Sequence, residues 1–561
     1  MIKKLKLILF IIFYLYQTSA FSKATEEKDF NPKYLSGYLS AIILKNNQNS
    51  EDSIKHFNSA KILMNKHEEY LKKYIITLTV NNEVQKAIKV IKQNKNKNNS
   101  KFFEAKLLLL IENFKKKNFY QNIELLNELE KYRDYDNYHF IIYEVLRSYN
   151  ELFLTRELST NQENFGKLSL INEAFQRCYL DQTEANSKFL NLFNSEQGDY
   201  TRYLFFYLNN LIEKKNFESA IKLSKEINTL NSNLLIQQSK KWIDNSNFTK
   251  FSNIFSCNNE SDILAEFFFL ISNFLAVDEN FEKSSFYSNI SNYLNPKFYF
   301  NLTNLISIYS EIQNYEKVEN LLENFIEEDE IYYWYKIRKI SQIINLEQNS
   351  QKSLNYIEAK FEGYPNPTIK IIYDMANIYK RNKEFKKSIK YYSLILENLN
   401  MNSDEYADVL YKRGSSYERL GDDKKSDEDL IKSLSIKPDD PYVLNYLGYS
   451  WLERGYKIKE AIDMLDNAYN QKKNDPYIID SVGWGYYLIG DFVNAEIFLR
   501  KAIQLMPKDP IVNDHYGDVL WKLNRKIQAQ YYWQSALKSD ESENEMKKNI
   551  SKKLLKGLNE S

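Results

Sequence analysis

The chain has 561 residues and is almost neutral, with 76 Lys and Arg against 75 Asp and Glu and a net charge of +1. That balance gives none of the basic character on which nucleic-acid binders depend, so no nucleic-acid partner is expected. Thirteen glycines and nine prolines are too few turn formers for a multi-stranded sheet protein, while 43% apolar residues can fill a core along the whole length, so the composition predicts an all-α fold.

Residues 1–24 read as a signal peptide. Lys3, Lys4 and Lys6 form a basic start, Leu7 to Tyr16 a short apolar run, and Thr18-Ser19-Ala20 or Ser22-Lys23-Ala24 a small-residue cleavage site. The run is shorter than the roughly 20 residues of a membrane span. An exported, periplasmic protein is expected, with an uncleaved N-terminal tether as the alternative. The apolar stretch Ala265–Phe274 is also too short to span.

From 25 to 130 the pattern is that of degenerate helical repeats. Ser53 and Ala87 lie 34 apart, and Ser53, Phe57 and Ala60 follow a small, aromatic, small order. Residues 131–200 hold no register and read as irregular helix. Between 201 and 366 a degenerate repeat returns, with Ala220 as one candidate and small or branched residues at Ser284, Val318 and Ser353. Cys178 and Cys257, the only two cysteines, are 79 residues apart. Stacked repeats touch only their neighbours, so two separate buried or free thiols are expected, although an oxidising compartment would permit a bond.

The segment 367–540 is the most regular and divides into five repeats. Glycines recur at Gly414, Gly448, Gly483 and Gly517, spaced 34, 35 and 34. A second series of small residues runs through Ser388, Ser426, Ala461, Ala495 and Ala529. Four residues after each of the last four stands Leu430, Leu465, Leu499 or Trp533, then Ser433, Ala468, Ala502 or Ala536. Such spacings put each set on one helix face. This period and residue order resemble the tetratricopeptide repeat (TPR) family. The resemblance implies an all-α, right-handed α-α superhelix of about ten or more helical hairpins, a TPR solenoid with well-formed repeats only toward the C-terminus.

The resemblance also implies a concave groove lined by the first helix of each pair. The face that packing leaves free carries Tyr411, Lys412 and Ser415, then Asn445, Tyr446 and Tyr449, then Tyr477, Asp480, Ser481 and Trp484, and finally Asp514, His515, Asp518 and Trp521. Tyr446, Tyr449, Tyr477, Asp480, Trp484, Asp514, His515, Asp518 and Trp521 are the candidate partner-binding residues, since aromatic anchors dominate peptide interfaces. The three aspartates argue against a clamp for a C-terminal carboxylate and favour a basic or neutral ligand. The segment Asp480–Trp484 followed by Asn513–Asp518 resembles the C-terminal end of exported bacterial TPR proteins, some of which are envelope adaptors, including one kind that serves a periplasmic processing protease. The partner so implied is another protein or an extended peptide; a structural part in a secretion, pilus or outer-membrane assembly is the alternative, and regulation of an envelope enzyme a more distant one.

Chemistry is sparse. His67-Glu68 starts a zinc-protease motif, but Leu71 stands where the second histidine belongs. Gly448 to Leu452 lacks the last glycine of a nucleophile elbow. Gly483, Gly485 and Gly490 sit inside a repeat with the wrong spacing for a nucleotide loop, and Trp451 and Trp533 fall on packing positions. No enzyme activity, cofactor, metal or small-molecule substrate is expected. The lysine-rich tail 541–561, with Met546, Ile550, Leu554 and Leu558 four apart, reads as a capping helix, with membrane contact only through it or the N-terminal segment.

Overall fold

The computed structural model describes residues 32–558 except 66, 95–99, 160–162, 196–200, 229, 365 and 541, so the signal-like segment 1–24 lies outside the described residues. Among the described residues every regular element is a helix and there is no strand. Most helices come in pairs joined by a tight turn, the αα-hairpin that short connections enforce. The turn residue sits in the left-handed region at Gly421, Gly455 and Gly490, but equally at Gln48, Asn82, Lys117, Lys215, Glu279, Gln313 and Lys383. An asparagine or aspartate often follows and caps the second helix. Asn49, Asn216, Asn280, Asn314, Asp422 and Asp491 each accept a hydrogen bond from the first turn, satisfying a donor that has no partner within the helix. The chain forms two compact units, divided between Ile343 and Ile344.

In the first unit the helix Glu260–Val277 is apolar nearly all round and buries Ile263, Leu264, Phe267, Phe268, Ile271 and Leu275. A helix of that kind must be covered on every side. Earlier hairpins supply the cover: Lys117 pairs with Glu260 at 2.8 Å, Tyr179 donates to the same carboxylate, and the Tyr138 hydroxyl donates to Asp278 at 2.6 Å. Deeper in, Arg202 holds Glu266 through two nitrogens while its guanidinium lies 4.0 Å from the centre of the Phe269 ring. The paired helix Phe281–Leu294 meets still earlier hairpins. Its Asn289 donates to the Val80 carbonyl at 3.0 Å and its Tyr293 hydroxyl to Gln85 at 2.8 Å. Segments some 200 residues apart therefore touch, and the rule that repeats contact only neighbours fails in this unit.

That failure overturns the expected state of the cysteines. Cys178 ends a buried turn of the helix Lys167–Tyr179, and Cys257 lies in the turn leading into Glu260–Val277. Phe175 and Phe206 both pack against Phe255, which draws the two backbones to a Cα separation of 5.7 Å, and the thiols are joined as a disulfide. The segment 131–200, which carries no register in sequence, holds the helices Asn137–Thr155, Lys167–Tyr179 and Glu184–Phe193.

The second unit begins within the helix Glu330–Glu347; its first whole helix is Ser350–Glu362, and five hairpins follow, covering 369–396, 404–436, 441–471, 476–505 and 510–538. A last helix, Asn544–Lys556, follows. Ser388, Ser426, Ala461, Ala495 and Ala529 are all buried at the helix–helix contact. Ser353 is only half-buried, and Leu354 and Ile357 fill that core position. Three hairpins open on Asp-Pro: Asp440, Asp475 and Asp509 each accept from two backbone N–H groups, and the proline follows at the first helical position, where its missing N–H costs nothing.

The recurring glycines are places of close approach. A methyl group at Gly483 would lie 2.6 Å from Leu499 Cγ, and one at Gly448 2.8 Å from the Ala461 carbonyl oxygen. At Gly485 the nearest atoms are instead the ends of two leucine side chains, Leu452 at 2.9 Å and Leu465 at 3.0 Å. Gly483→Leu should destabilise the protein by about 1–3 kcal/mol or more through overpacking. Gly485→Ala should cost less, because terminal methyls can turn away. Chemical denaturation of both variants checks the order.

Candidate functional site

The candidate face of the second unit is carried by the first helices Asp404–Arg419, Pro441–Glu453, Pro476–Leu488 and Pro510–Lys522. Their buried stripes hold Leu410 and Gly414, Leu447 and Gly448, Val482 and Gly483, and Tyr516 and Gly517. The opposite stripe carries the aromatic row. Tyr411 meets Tyr446 edge-on at 5.8 Å, and the Tyr446 hydroxyl donates to Glu418 at 2.8 Å. Tyr449 is half-buried, and burial, then the Glu453 and Asp480 carboxylates, push its hydroxyl well above the usual tyrosine value. Two turns beyond Tyr477, which is 66% exposed, Trp484 lies flat between Tyr487 at 4.5 Å and His515 at 4.0 Å. Its indole N–H donates to Glu453.

The acidic candidates are not free. Asp480 is buried and lies 3.0 Å from His515 Nδ1. Asp514 and Asp518 both receive the Lys553 ammonium, at 2.8 Å each, and Asp518 also accepts from the Trp533 indole at 2.8 Å. Lys553 belongs to the last helix, whose Ile550 is fully buried and whose Met546 and Leu554, with Leu558 just beyond the helix, pack with the terminal hairpin. Gly557 presses against the Trp521 ring. The expected attraction for a basic ligand is thus answered within the chain by His515 and Lys553. Sequence spacing put these side chains on one helix face but could not show that the tail reaches back to three of them, Asp514, Asp518 and Trp521.

The Asp480–His515 pair has a pH signature. Burial pushes the imidazolium down, but Asp480, followed by Asp514 and Asp518, outweighs it and holds His515 above the ordinary value of 6.5. A histidine whose folded pKa is raised adds stability below its unfolded pKa and loses it as pH rises through the folded one. Stability from this pair should be complete below about pH 6.5 and fade above it. Asp480→Asn should lower the His515 titration midpoint, which NMR of the histidine ring can follow.

This face offers aromatic and amide surface and brings no nucleophile–base constellation together; among the described residues no group of His, Cys, Asp and Glu could hold a metal ion. Tandem helical hairpins stacked in this way define a helical-repeat protein. Residues 407–440 match the tetratricopeptide-repeat family model. The chain is 29% identical over 114 residues to a TPR repeat-containing protein of Pseudomonas aeruginosa, covering 20% of this chain and 19% of that relative. It thus spans about a fifth of the relative's length. Among solved structures, a tetratricopeptide repeat protein from Parabacteroides merdae is 16% identical, with a TM-score of 0.38 over 46% of this chain and 98% of its own. A TPR protein from Thermus thermophilus is 15% identical, with a TM-score of 0.30 over 34% of this chain and 100% of its own. The chain is a TPR protein, and TPR repeats serve in general as protein–protein interaction scaffolds.

Proposed function

We propose that the protein is a non-enzymatic adaptor of the bacterial cell envelope that captures a protein or extended peptide on the Tyr446–Trp484 stretch of its candidate face. The observation that carries this reading is the aromatic row itself. Tyr446, Tyr449, Tyr477 and Trp484 follow one another across adjacent first helices, with Tyr477 open to solvent and Trp484 held flat by its neighbours. Rigid aromatic surface of this kind binds at low entropic cost. Asp514, Asp518 and Trp521 serve the tail contact in this reading, so the partner lies toward the earlier repeats. The export half of the proposal is supported by the signal-like N-terminus and by the joined cysteines, since disulfides persist in oxidising compartments.

A photoreactive residue at Tyr477 should trap the partner in intact cells. Trp484→Ala should weaken that partner's binding by about 1–4 kcal/mol while the far-ultraviolet spectrum stays unchanged, because Trp484 is only half-buried. Unchanged binding by a folded Trp484→Ala protein would refute the assignment of this face. An alkaline phosphatase fused after residue 558 should be active only if the chain is exported; an inactive fusion sinks the envelope reading and leaves the face to be judged by the cross-link.

A further inference from the structure

Where the first two hairpins of the first unit meet the helices Phe281–Leu294, Leu302–Glu311 and Tyr315–Leu322, they leave a cavity of about 260 Å³. It is small beside the roughly 300–1,000 Å³ of sites for drug-sized ligands. Val80, Phe281, Ile312 and the Tyr309 ring give it apolar walls. Its cationic group is Lys317. This ammonium donates to Ser50 Oγ and sits 4.9 Å from the centre of the Tyr309 ring, but no carboxylate lies within ion-pairing distance of it among the described residues. The neighbouring lysine on the wall, Lys45, is by contrast paired with Glu282. Burial drives the Lys317 amine down to about 8, opposed only by the more distant Glu51 and Glu316.

A half-buried ammonium with a hydroxyl and a π face beside it, but no anion, has lost part of its hydration without gaining a counter-charge. The cavity next to it has room for the missing charge. The Ser50 hydroxyl already donates to Asn81 Oδ1 at 2.9 Å, so the open position is on the lysine. We propose that this cavity binds a small organic carboxylate, with the carboxylate on Lys317 Nζ and the apolar body against Val80, Phe281 and Ile312. Inorganic anions satisfy the charge but leave the apolar walls unfilled, so they should bind less well. The site lies in the first unit, far along the chain from the aromatic row, and stands or falls independently of the adaptor reading.

Isothermal titration calorimetry of the full mature chain with benzoate and hexanoate tests this, with benzamide and inorganic phosphate as comparisons. Both carboxylates should bind, and benzamide should bind roughly tenfold to a hundredfold more weakly, the loss expected for one hydrogen bond to a charged group. Lys317→Met should show a loss of the same size, and Ile312→Trp, which fills the cavity and keeps the lysine, should abolish binding. A measurement on the unaltered protein guards against misfolded variants. Limiting acetic anhydride should label Lys317 ahead of surface lysines, and benzoate should protect it, as read by mass spectrometry. No heat with either carboxylate, equal affinity for benzamide, undiminished binding by Lys317→Met, or labelling of Lys317 that benzoate leaves unchanged would each overturn the proposal; tighter binding of phosphate than of benzoate would overturn the organic ligand.

Discussion

Trp533→Ala should cost about 3–5 kcal/mol, the range for emptying a fully buried tryptophan site. Trp533 is completely buried and occupies the position that Leu430, Leu465 and Leu499 hold in the preceding hairpins. Its extra volume is accommodated by the glycine opposite: a methyl at Gly517 would lie 2.5 Å from the indole. The ring also packs against Trp521 at 5.2 Å and donates its N–H to Asp518. Burial already raises the Asp518 carboxyl to about 6 in spite of Lys553, so losing that donor removes one of the groups favouring its charged form. The loss should therefore spread to the tail. Hydrogen exchange in 544–556 should quicken in Trp533→Ala as the Lys553 contacts weaken. Trp533→Leu, which restores the residue used by the other repeats, should lose less stability. Equal effects of the two substitutions would mean that refilling the site with a leucine recovers nothing, and that the loss lies in what both variants lack, the indole hydrogen bond to Asp518.

The contrast between the two units explains what the sequence could and could not reveal. In the second unit the left-handed turn residue is a glycine at Gly421, Gly455 and Gly490, and the helix contact is a glycine against a small residue, as at Gly483 and Ala495. Both leave a visible mark at a period of 34 or 35. In the first unit the same turn conformation is taken by Gln48, Lys117, Lys215 and Glu279, residues that give no hint of it. Non-glycine residues in that conformation cost about 1–2 kcal/mol, which the surrounding packing must offset. A subtler mark was available in the capping asparagines, for Asn280, Asn314 and Asn349 keep the 34- to 35-residue period and each caps a second helix.

The closure of the first unit had one sequence signal as well. The Phe267-Phe268-Phe269 run is too short for a membrane yet too apolar for a helix with one exposed side. That combination calls for cover on all faces, and hence for contacts that a simple stack cannot make. Aromatic spacing also placed the candidate row on one face of the second unit. What spacing could not supply were the partners of Asp480, Asp514 and Asp518, because His515 lies one repeat away from the first and Lys553 comes from outside the repeats.

Breaking the Cys178–Cys257 bond should remove about 4 kcal/mol, the chain-entropy value for a loop of this size, the two residues being 79 apart. The two cysteines are buried among Phe175, Phe255 and the neighbouring helices, so reduction leaves two thiols in an apolar setting and frees a long loop in the denatured chain. The thermal midpoint should fall by several degrees on reduction, and Cys178→Ala with Cys257→Ala together should reproduce the fall without reductant. The second unit holds no cysteine, so hydrogen exchange in 441–538 should be unaffected in the native state. If reductant leaves the midpoint of the wild type unchanged while mass spectrometry finds two free thiols beforehand, the bond does not form in the isolated protein, and the support it lends to an oxidising compartment disappears with it. If the double alanine variant is as stable as the oxidised parent, the Phe175, Phe206 and Phe255 cluster alone fixes this junction, and the disulfide follows from the packing rather than securing it.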